Sequence, residues 1–213
     1  MILEGTSFCI VRHGETDWNV ERRIQGHIDI PLNVNGRAQA AATAAGLAAL
    51  RFAAAYSSDL ARAWVTAEVT VSRLGLAVQP EPGLRERHYG IFQGLTAAEA
   101  AQRFPLAHAR YLARDLHYDF EMGESLAGLS ARVTGAIELL AQRHRGQSVL
   151  LVSHGGVLDV CYRRATGRDL SAPRDFPIPN AALNWIEVDG CGWRLRTWAD
   201  RRHLERTLDE SAE

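Results

Sequence analysis

Two histidines in this chain stand directly after short apolar segments, and each is followed by glycine. The sequence RHGET (12–16) follows the apolar residues 8–11, and SHGG (153–156) follows the apolar residues 149–152. A single histidine in such a loop is most simply an ordinary surface residue. The same His-Gly unit at the ends of two strands is harder to explain as coincidence than a single one. Its glycines leave backbone N–H groups accessible to an anion. The pattern therefore indicates an anion site that contains His13 and His154.

A third candidate is Arg62, which stands near the start of a predicted helix. The sequence SSDLAR (57–62) predicts that Ser58 or Asp59 caps this helix and that Arg62 lies in its first turn. A cation there opposes the helix dipole by a few tenths to about 1 kcal/mol. Arg62 is then either an exposed arginine that tolerates this cost, or an arginine that shares a bound anion with the helix N-terminus.

Two arginines, two histidines and accessible backbone donors together suit a phosphoryl group. Guanidinium groups match its oxygens bidentately, and their charge stabilises a PO₃ group during transfer. A neutral imidazole can attack phosphorus and form a covalent intermediate, and His13 beside Arg12 is the expected nucleophile. A metal site is the weaker reading, since the sequence has no HxxxH, HExxH or carboxylate cluster at ligand spacing. We expect no cofactor.

The proton donor for the leaving oxygen remains to be assigned, and Glu86 is the candidate. A carboxyl beside a phosphate dianion can act as an acid and then as the base for water. Glu86 also lies in the polar run RERH (85–88), which is equally typical of a solvated surface. The periodicity of the sequence does not decide between these two readings.

The elements that position these residues alternate between short apolar strands and longer helical patterns. Strands are expected over 8–11, 53–57 and 148–152, and a hairpin over 182–188 and 193–198. Helices are expected over 34–50, after Asp59, and from Leu126 to Leu140. This alternation predicts an α/β fold with a mostly parallel central sheet. In open sheets of this kind ligands bind beyond the carboxyl ends of the strands, where both histidine units stand.

The chain of 213 residues is expected to form one domain over 1–213. Residues 86–122 hold aromatics and three histidines without a sustained period, so we expect them to form an insertion that covers the substrate. The charged last ten residues are expected to fray.

Composition excludes several classes of function and location. A formal net charge of −1 gives no global attraction to nucleic acid or to a membrane surface. Three scattered cysteines favour a reducing compartment. The sequence has no signal peptide and no run of the roughly 20 apolar residues that a membrane helix needs. We expect a soluble cytoplasmic protein that binds neither nucleic acid nor membrane, with a homodimer left open.

The ordered motifs resemble one known family. RHGET with Asn19, SDLARA (58–63), Glu86 and SHGG, in this order, are similar to the histidine phosphatase superfamily. Its phosphoglycerate mutase-like branch contains cofactor-dependent mutases and small broad-specificity phosphatases. GES (123–125) and PNA (179–181) also fit. The resemblance implies a three-layer α/β/α sandwich and chemistry without a metal.

The resemblance also implies a role for each site residue. His13 would become phosphorylated, and Glu86 would be the acid and base. The phosphoryl group would be held by Arg12, Arg62 and His154, with Asn19 and Gly155 nearby. Gln25, Gly26 and Tyr89 fall where relatives contact substrate.

The resemblance leaves a choice between mutase and phosphatase. ERHYG (86–90) followed by QGL (93–95) resembles a mutase, but Ala97 stands where mutases place a lysine. Arg110 and Arg114 are separated where mutases carry an arginine pair, and SHGG replaces AHGN. These departures favour a metal-independent phosphomonoester hydrolase that acts on small phosphorylated metabolites. The alternatives are a cofactor-dependent phosphoglycerate mutase and a catalytically inactive module that binds phospho-ligands or serves as a scaffold.

Overall fold

The central feature of the fold is a six-stranded sheet. The computed structural model describes residues 5–205, so the expectation for the end of the chain falls almost wholly outside the described part. The strand order is β3-β2-β4-β1-β5-β6. Strands β3, β2, β4 and β1 run parallel to one another, β5 pairs antiparallel with β1, and β6 pairs antiparallel with β5. The strands are β1 (Thr6–Arg12), β2 (Ala54–Ser57), β3 (Val78–Pro80), β4 (Ser148–Ser153), β5 (Leu183–Asp189) and β6 (Gly192–Asp200).

Helices connect the strands and cover both faces of the sheet. The predicted helices and the late hairpin are present, with α2 ending three residues earlier than expected. Within the described residues no helix is both long and apolar enough to cross a membrane. The helices are α1 (Asp17–Val20), α2 (Val34–Leu47), α3 (Ala61–Val71), α4 (Ala97–Arg103), α5 (Pro105–Leu112), α6 (Leu126–Arg143) and α7 (Gly155–Thr166).

The alternation of side chains along β1 explains the three layers. Phe8 and Ile10 point to one face of the sheet, where they pack in a core shared with α6 and α7. Cys9 and Val11 point to the other face, against residues of α2 and α3. All four are fully buried, because a strand covered on both faces has no solvent-facing side. The three-layer α/β/α sandwich is therefore confirmed.

Helix α6 follows the predicted apolar stripe. Its inward positions are all buried against the sheet, and they are Leu126, Leu129, Val133, Ile137 and Leu140. The hydroxyl of Ser125, the residue before the helix, accepts a hydrogen bond from Gly128 N and so caps the first turn.

The start of α3 differs from the prediction. Neither Ser58 nor Asp59 is the N-cap, which is Leu60 without a side-chain hydrogen bond. The carboxylate of Asp29 instead accepts from Ala61 N at 2.8 Å, so the cap comes from a distant loop. Asp59 is not available as a cap because its carboxylate accepts a hydrogen bond from Arg85 Nε at 2.6 Å.

The insertion is more regular than the sequence suggested. It contains α4 and α5, and Thr96 with Glu99 forms a capping box at the start of α4. Pro105 occupies the first turn of α5. With seven and eight residues these helices are too short to show a sustained period. Phe92 and Phe120 are fully buried in a separate aromatic core beneath them.

Candidate active site

A cavity of about 720 Å³ opens at the carboxyl ends of β1, β2 and β4. Its floor is formed by the residues that follow these strands. Its walls come from the turn after α1, the insertion, the start of α7 and the loop between α7 and β5. The site therefore lies where parallel sheets of this type place their ligands.

Strand pairing brings the two histidines together. Arg12 lies opposite Ser153 in the parallel pairing of β1 with β4, so the next residue of each strand is also adjacent. His13 N donates to Ser153 O at 2.9 Å, and the ring centroids of His13 and His154 are 5.2 Å apart. The predicted convergence of the two units thus follows directly from the register of the sheet.

The ring of His13 has a defined tautomer. Its Nδ1 lies 2.8 Å from Gly14 O. A carbonyl oxygen can only accept, so Nδ1 carries the proton and Nε2 keeps a lone pair. Asn180 Nδ2 donates to His13 O at 2.8 Å and fixes the backbone at this position. In this tautomer Nε2 is the ring nitrogen with a lone pair that can act as a nucleophile.

The surroundings of His13 keep its imidazole neutral. Burial lowers the pKa of His13 well below its ordinary value, and the positive charges of Arg62 and Arg12 lower it further. The hydrogen bond to Gly14 acts in the opposite direction but is the smallest effect. At neutral pH the ring therefore has the lone pair that an attack on phosphorus requires.

Arg12 and Arg62 are anchored by backbone carbonyls rather than by carboxylates. Arg12 Nη1 donates to Ile178 O at 2.6 Å. Arg62 donates to Gly26 O at 2.7 Å and to Ile28 O at 3.0 Å. The Nε atoms of both guanidinium groups are buried without a partner in the described part of the chain. Burial lowers the pKa of Arg62 to about 10, which still leaves it charged at neutral pH.

His154 is the N-cap residue of α7 and is fully buried. Its Nε2 lies 2.8 Å from Ser58 Oγ, while Nδ1 has no partner within residues 5–205. Burial lowers the pKa of His154 well below its usual range, and Arg62 and His13 add to this effect. Local sequence predicts only a capping role for Ser58, because its contact with His154 arises from the pairing of β2 with β4.

Glu86 reaches the same cavity and is held by backbone N–H groups. Its Oε1 accepts from Arg87 N at 2.8 Å, and both of its oxygens lie 3.1 Å from Gly156 N. His27 Nε2 lies 2.7 Å from Glu86 O and fixes the main chain. The structure therefore favours the site reading of Glu86 over that of a solvated surface charge.

Gly156 is required by this contact. A Cβ at this position would lie 2.2 Å from Glu86 Oε1. We expect Gly156→Ala to displace the carboxylate and to lower kcat for an alkyl phosphate by about 100-fold, the effect of a misplacement of about 1 Å. The matched control is Gly135→Ala in α6, where an added Cβ meets nothing within 4 Å and turnover should persist. Equal turnover of both variants would show that the hydrogen bonds from Gly156 N to the Glu86 carboxylate are not needed for activity.

The softer site predictions also fall in or at the cavity. Asn19 Oδ1 accepts from Thr16 N at 3.1 Å in a capping box, and Gln25 Nε2 donates to Thr16 Oγ1 at 2.9 Å. Both side chains therefore support the loop after β1 as well as lining the cavity. The remaining lining residues from the prediction are Gly26, Tyr89 and Gly155.

Sequence reasoning missed several cavity residues. Arg22, Arg87, Asp159 and Arg174 line the walls, although the sequence motifs assign no site role to any of them. Arg114, noted in the sequence only as one of two separated arginines, also lines the cavity. Only three-dimensional packing brings these segments to the same place. In residues 5–205 no group of three or more His, Cys, Asp or Glu side chains is placed to hold a metal ion.

Comparison with known proteins shows relatives over almost the whole chain. The family model of the histidine phosphatase superfamily (branch 1) matches residues 8–201. Phosphoglycerate mutase-like protein 4 of Arabidopsis thaliana is 40% identical over 202 residues, which cover 93% of this chain and 86% of the relative. Metal-independent phosphoserine phosphatase of Arabidopsis thaliana is 38% identical over 206 residues, covering 94% of this chain and 84% of the relative.

The solved structures agree with this result. Bacillus stearothermophilus YhfR superposes with a TM-score of 0.87 at 33% identity, covering 93% of this chain and 99% of that protein. The chain belongs to the histidine phosphatase superfamily (branch 1) and is an enzyme of the phosphatase class.

Proposed function

We propose that this enzyme hydrolyses phosphomonoesters of small metabolites, without a metal, through a phosphohistidine at His13. The observation that carries this proposal is the neutral His13 ring with its proton on Nδ1. Unpartnered nitrogen atoms of Arg12, Arg62 and His154 lie buried around it, and the two arginine N–H groups would donate to phosphoryl oxygens. The site thus combines a nucleophile with fixed positive charge.

In the first step, the lone pair of His13 Nε2 attacks phosphorus. A nitrogen–phosphorus bond forms as the bond from phosphorus to the ester oxygen breaks. The protonated Glu86 carboxyl gives its proton to the leaving oxygen, so an alcohol departs. Arg12 and Arg62 stabilise the charge on the PO₃ group during its transfer.

In the second step, water replaces the departed alcohol. Glu86, now a carboxylate, takes a proton from the water. At the same time the water oxygen attacks the phosphorus of phosphohistidine. The nitrogen–phosphorus bond breaks, phosphate is released, and His13 regains its lone pair. Glu86 ends the cycle protonated, so the site returns to its starting state.

The substrate class follows from the walls of the cavity. Tyr89, Tyr111, Leu112 and Arg114 line it from the insertion. We propose that residues 86–122 cover the substrate and set its specificity. A relative named as a phosphoserine phosphatase supports a small phosphorylated metabolite as substrate.

The cytoplasmic location of the enzyme remains part of this proposal, supported by three free cysteines, two of them buried in the core. The homodimer stays a prediction.

The second candidate function is that of a phosphoglycerate mutase, since one relative is named as mutase-like. In the described part of the chain, two positions where a mutase would use a cationic contact do not provide a free one. Ala97 begins α4 without a charge, and Arg110 is paired with Asp115 at 2.7 Å. A mutase must also shield phosphohistidine from water while its substrate reorients. We therefore expect water to accept the phosphoryl group.

One assay separates these two functions. The purified enzyme is given 3-phosphoglycerate with a trace of 2,3-bisphosphoglycerate, and 2-phosphoglycerate and free phosphate are followed together. We expect phosphate release across several monoesters with negligible isomer formation. Rapid formation of 2-phosphoglycerate with little phosphate would overturn the phosphatase proposal in favour of a mutase.

The role of arginines and histidines leads to a prediction about metal. We expect phosphatase activity to survive exhaustive EDTA treatment, because guanidinium groups already supply the positive charge that a metal would bring. Vanadate and inorganic phosphate should inhibit competitively. Loss of activity on chelation, restored by one added divalent metal, would contradict the proposed mechanism.

A further inference from the structure

The cavity has more positive charge than one phosphoryl group needs. Among residues 5–205, seven arginines line it, against two carboxylates, those of Glu86 and Asp159. The whole chain has a formal net charge of −1, so this excess is local. A phosphoryl dianion held by Arg12 and Arg62 leaves the outer part of the cavity positive.

Most of these arginines already have partners. Arg12 and Arg62 donate to backbone carbonyls, as described above. Arg23 pairs with Glu99 at 2.7 Å, and Arg87 Nε donates to a backbone carbonyl at 2.8 Å. Arg114 pairs with Asp159 at 2.7 Å. These contacts explain five of the seven side chains as anchored parts of the cavity.

Arg22 and Arg174 are different. Both are exposed, both line the cavity, and neither guanidinium group has a hydrogen-bond or ion-pair partner in the part of the chain that the structure describes. Arg22 has a φ of 57°, a left-handed backbone conformation that is uncommon for a residue other than glycine. Such conformations concentrate at ligand-binding sites.

Arg174 is also close enough to the reaction centre to influence it. Burial lowers the pKa of Arg12, Glu86 raises it, and the charge of Arg174 lowers it again. Arg174 lies in the loop between α7 and β5, whereas Arg22 lies in the turn after α1. Two separate segments therefore present an unpaired guanidinium to the same cavity that contains His13.

We propose that Arg22 and Arg174 form an outer subsite that binds a second anionic group of the substrate, at the end away from the transferred phosphoryl. The inference rests on the proposed function and narrows its substrate class. The preferred substrates are phosphomonoesters that carry a carboxylate or a second phosphate. Guanidinium groups recognise both, because their planar donors match either set of oxygens.

The test compares ligands that differ in the second anion alone. 3-Phosphoglycerate and glycerol 3-phosphate differ by a carboxylate in place of a hydroxymethyl group. Fructose 1,6-bisphosphate and fructose 6-phosphate differ by a second phosphate. Each is used as a competitor of p-nitrophenyl phosphate hydrolysis, and its inhibition constant is measured. We expect the wild type to bind the ligand with the second anion about tenfold more tightly in at least one pair.

Variants then assign the preference to the two arginines. Arg22→Ala and Arg174→Ala should each reduce it by roughly fivefold at low salt, the upper range for one exposed charge pair. The double variant should abolish it, and Arg174→Lys should restore part of it. The matched control is Arg51→Ala, which removes an exposed arginine before β2, at the opposite end of the sheet from the cavity. This variant should keep the full preference.

The outcomes are distinct. The pair that shows the effect identifies a carboxylate or a phosphate as the second anion. A wild type without preference in either pair, or a preference that survives in the double variant, would overturn the subsite. A protein that does not hydrolyse p-nitrophenyl phosphate would instead contradict the proposed function. Calorimetric binding of the same four ligands would then still test the subsite.

Discussion

The His13→Ala variant is expected to lose at least about 10,000-fold in kcat for p-nitrophenyl phosphate, because removal of a nucleophile abolishes the covalent route. An alanine has no atom that can attack phosphorus, and the arginines alone can only assist a direct attack by water. Binding should persist, since Arg12 and Arg62 are anchored to backbone carbonyls that do not depend on the imidazole. Vanadate inhibition cannot report binding in an inactive variant, so phosphate affinity is measured by calorimetry.

The matched control for this variant is His117→Ala. His117 is an exposed histidine of the insertion that does not line the cavity, so its removal should leave turnover near that of the wild type. Thermal unfolding of both variants shows whether they fold. A folded His13→Ala protein with wild-type turnover would remove His13 from the mechanism.

The second large effect is expected for Glu86→Gln, and it should depend on the leaving group. A glutamine keeps an oxygen that accepts from Arg87 N and Gly156 N, so the variant preserves the anchor and removes the acidic proton. Hydrolysis of alkyl phosphates should fall by about 100- to 10,000-fold, the usual contribution of a general acid. Phosphoryl transfer from p-nitrophenyl phosphate should fall much less, because nitrophenolate leaves without protonation.

Steady-state rates can hide this contrast. If hydrolysis of phosphohistidine limits turnover, loss of the base slows both substrates equally. The first turnover is therefore measured as rapid release of nitrophenol or, for an alkyl phosphate, of the alcohol, which reports the transfer to His13 alone. Equal losses in the first turnover for both substrate types would give Glu86 a structural role.

Long periodic helices and apolar strands could be predicted from the sequence, whereas the short helices of the insertion could not. The apolar run 148–152 and the stripe of α6 gave β4 and α6 nearly to their ends. Helices α4 and α5 were missed because two turns of helix do not establish a period. The cap of α3 was assigned to Ser58 or Asp59, since a cap from residue 29 is a tertiary contact that local sequence does not encode.

The same distinction applies to the site. The convergence of His13 and His154 could be predicted because the carboxyl ends of parallel strands meet at one edge of a sheet. Arg62 approaches them from the first turn of α3. The hydrogen bond from Gly156 N to the Glu86 carboxylate joins positions that are 70 residues apart, so no local sequence pattern predicts it. Arg22 and Arg174 were not found for a similar reason. Each lies in an irregular segment, and their common cavity exists only in the folded chain.

The central claim is that a phosphoryl group passes through His13, and rapid-quench labelling tests it most directly. The enzyme is mixed with a ³²P-labelled phosphomonoester, quenched in alkali within the first turnover, digested and mapped. The account predicts label on the peptide that contains His13, stable in alkali and lost in acid, and absent from His13→Ala. Label on another residue, or hydrolysis that proceeds through a first turnover with no labelled protein, would contradict it.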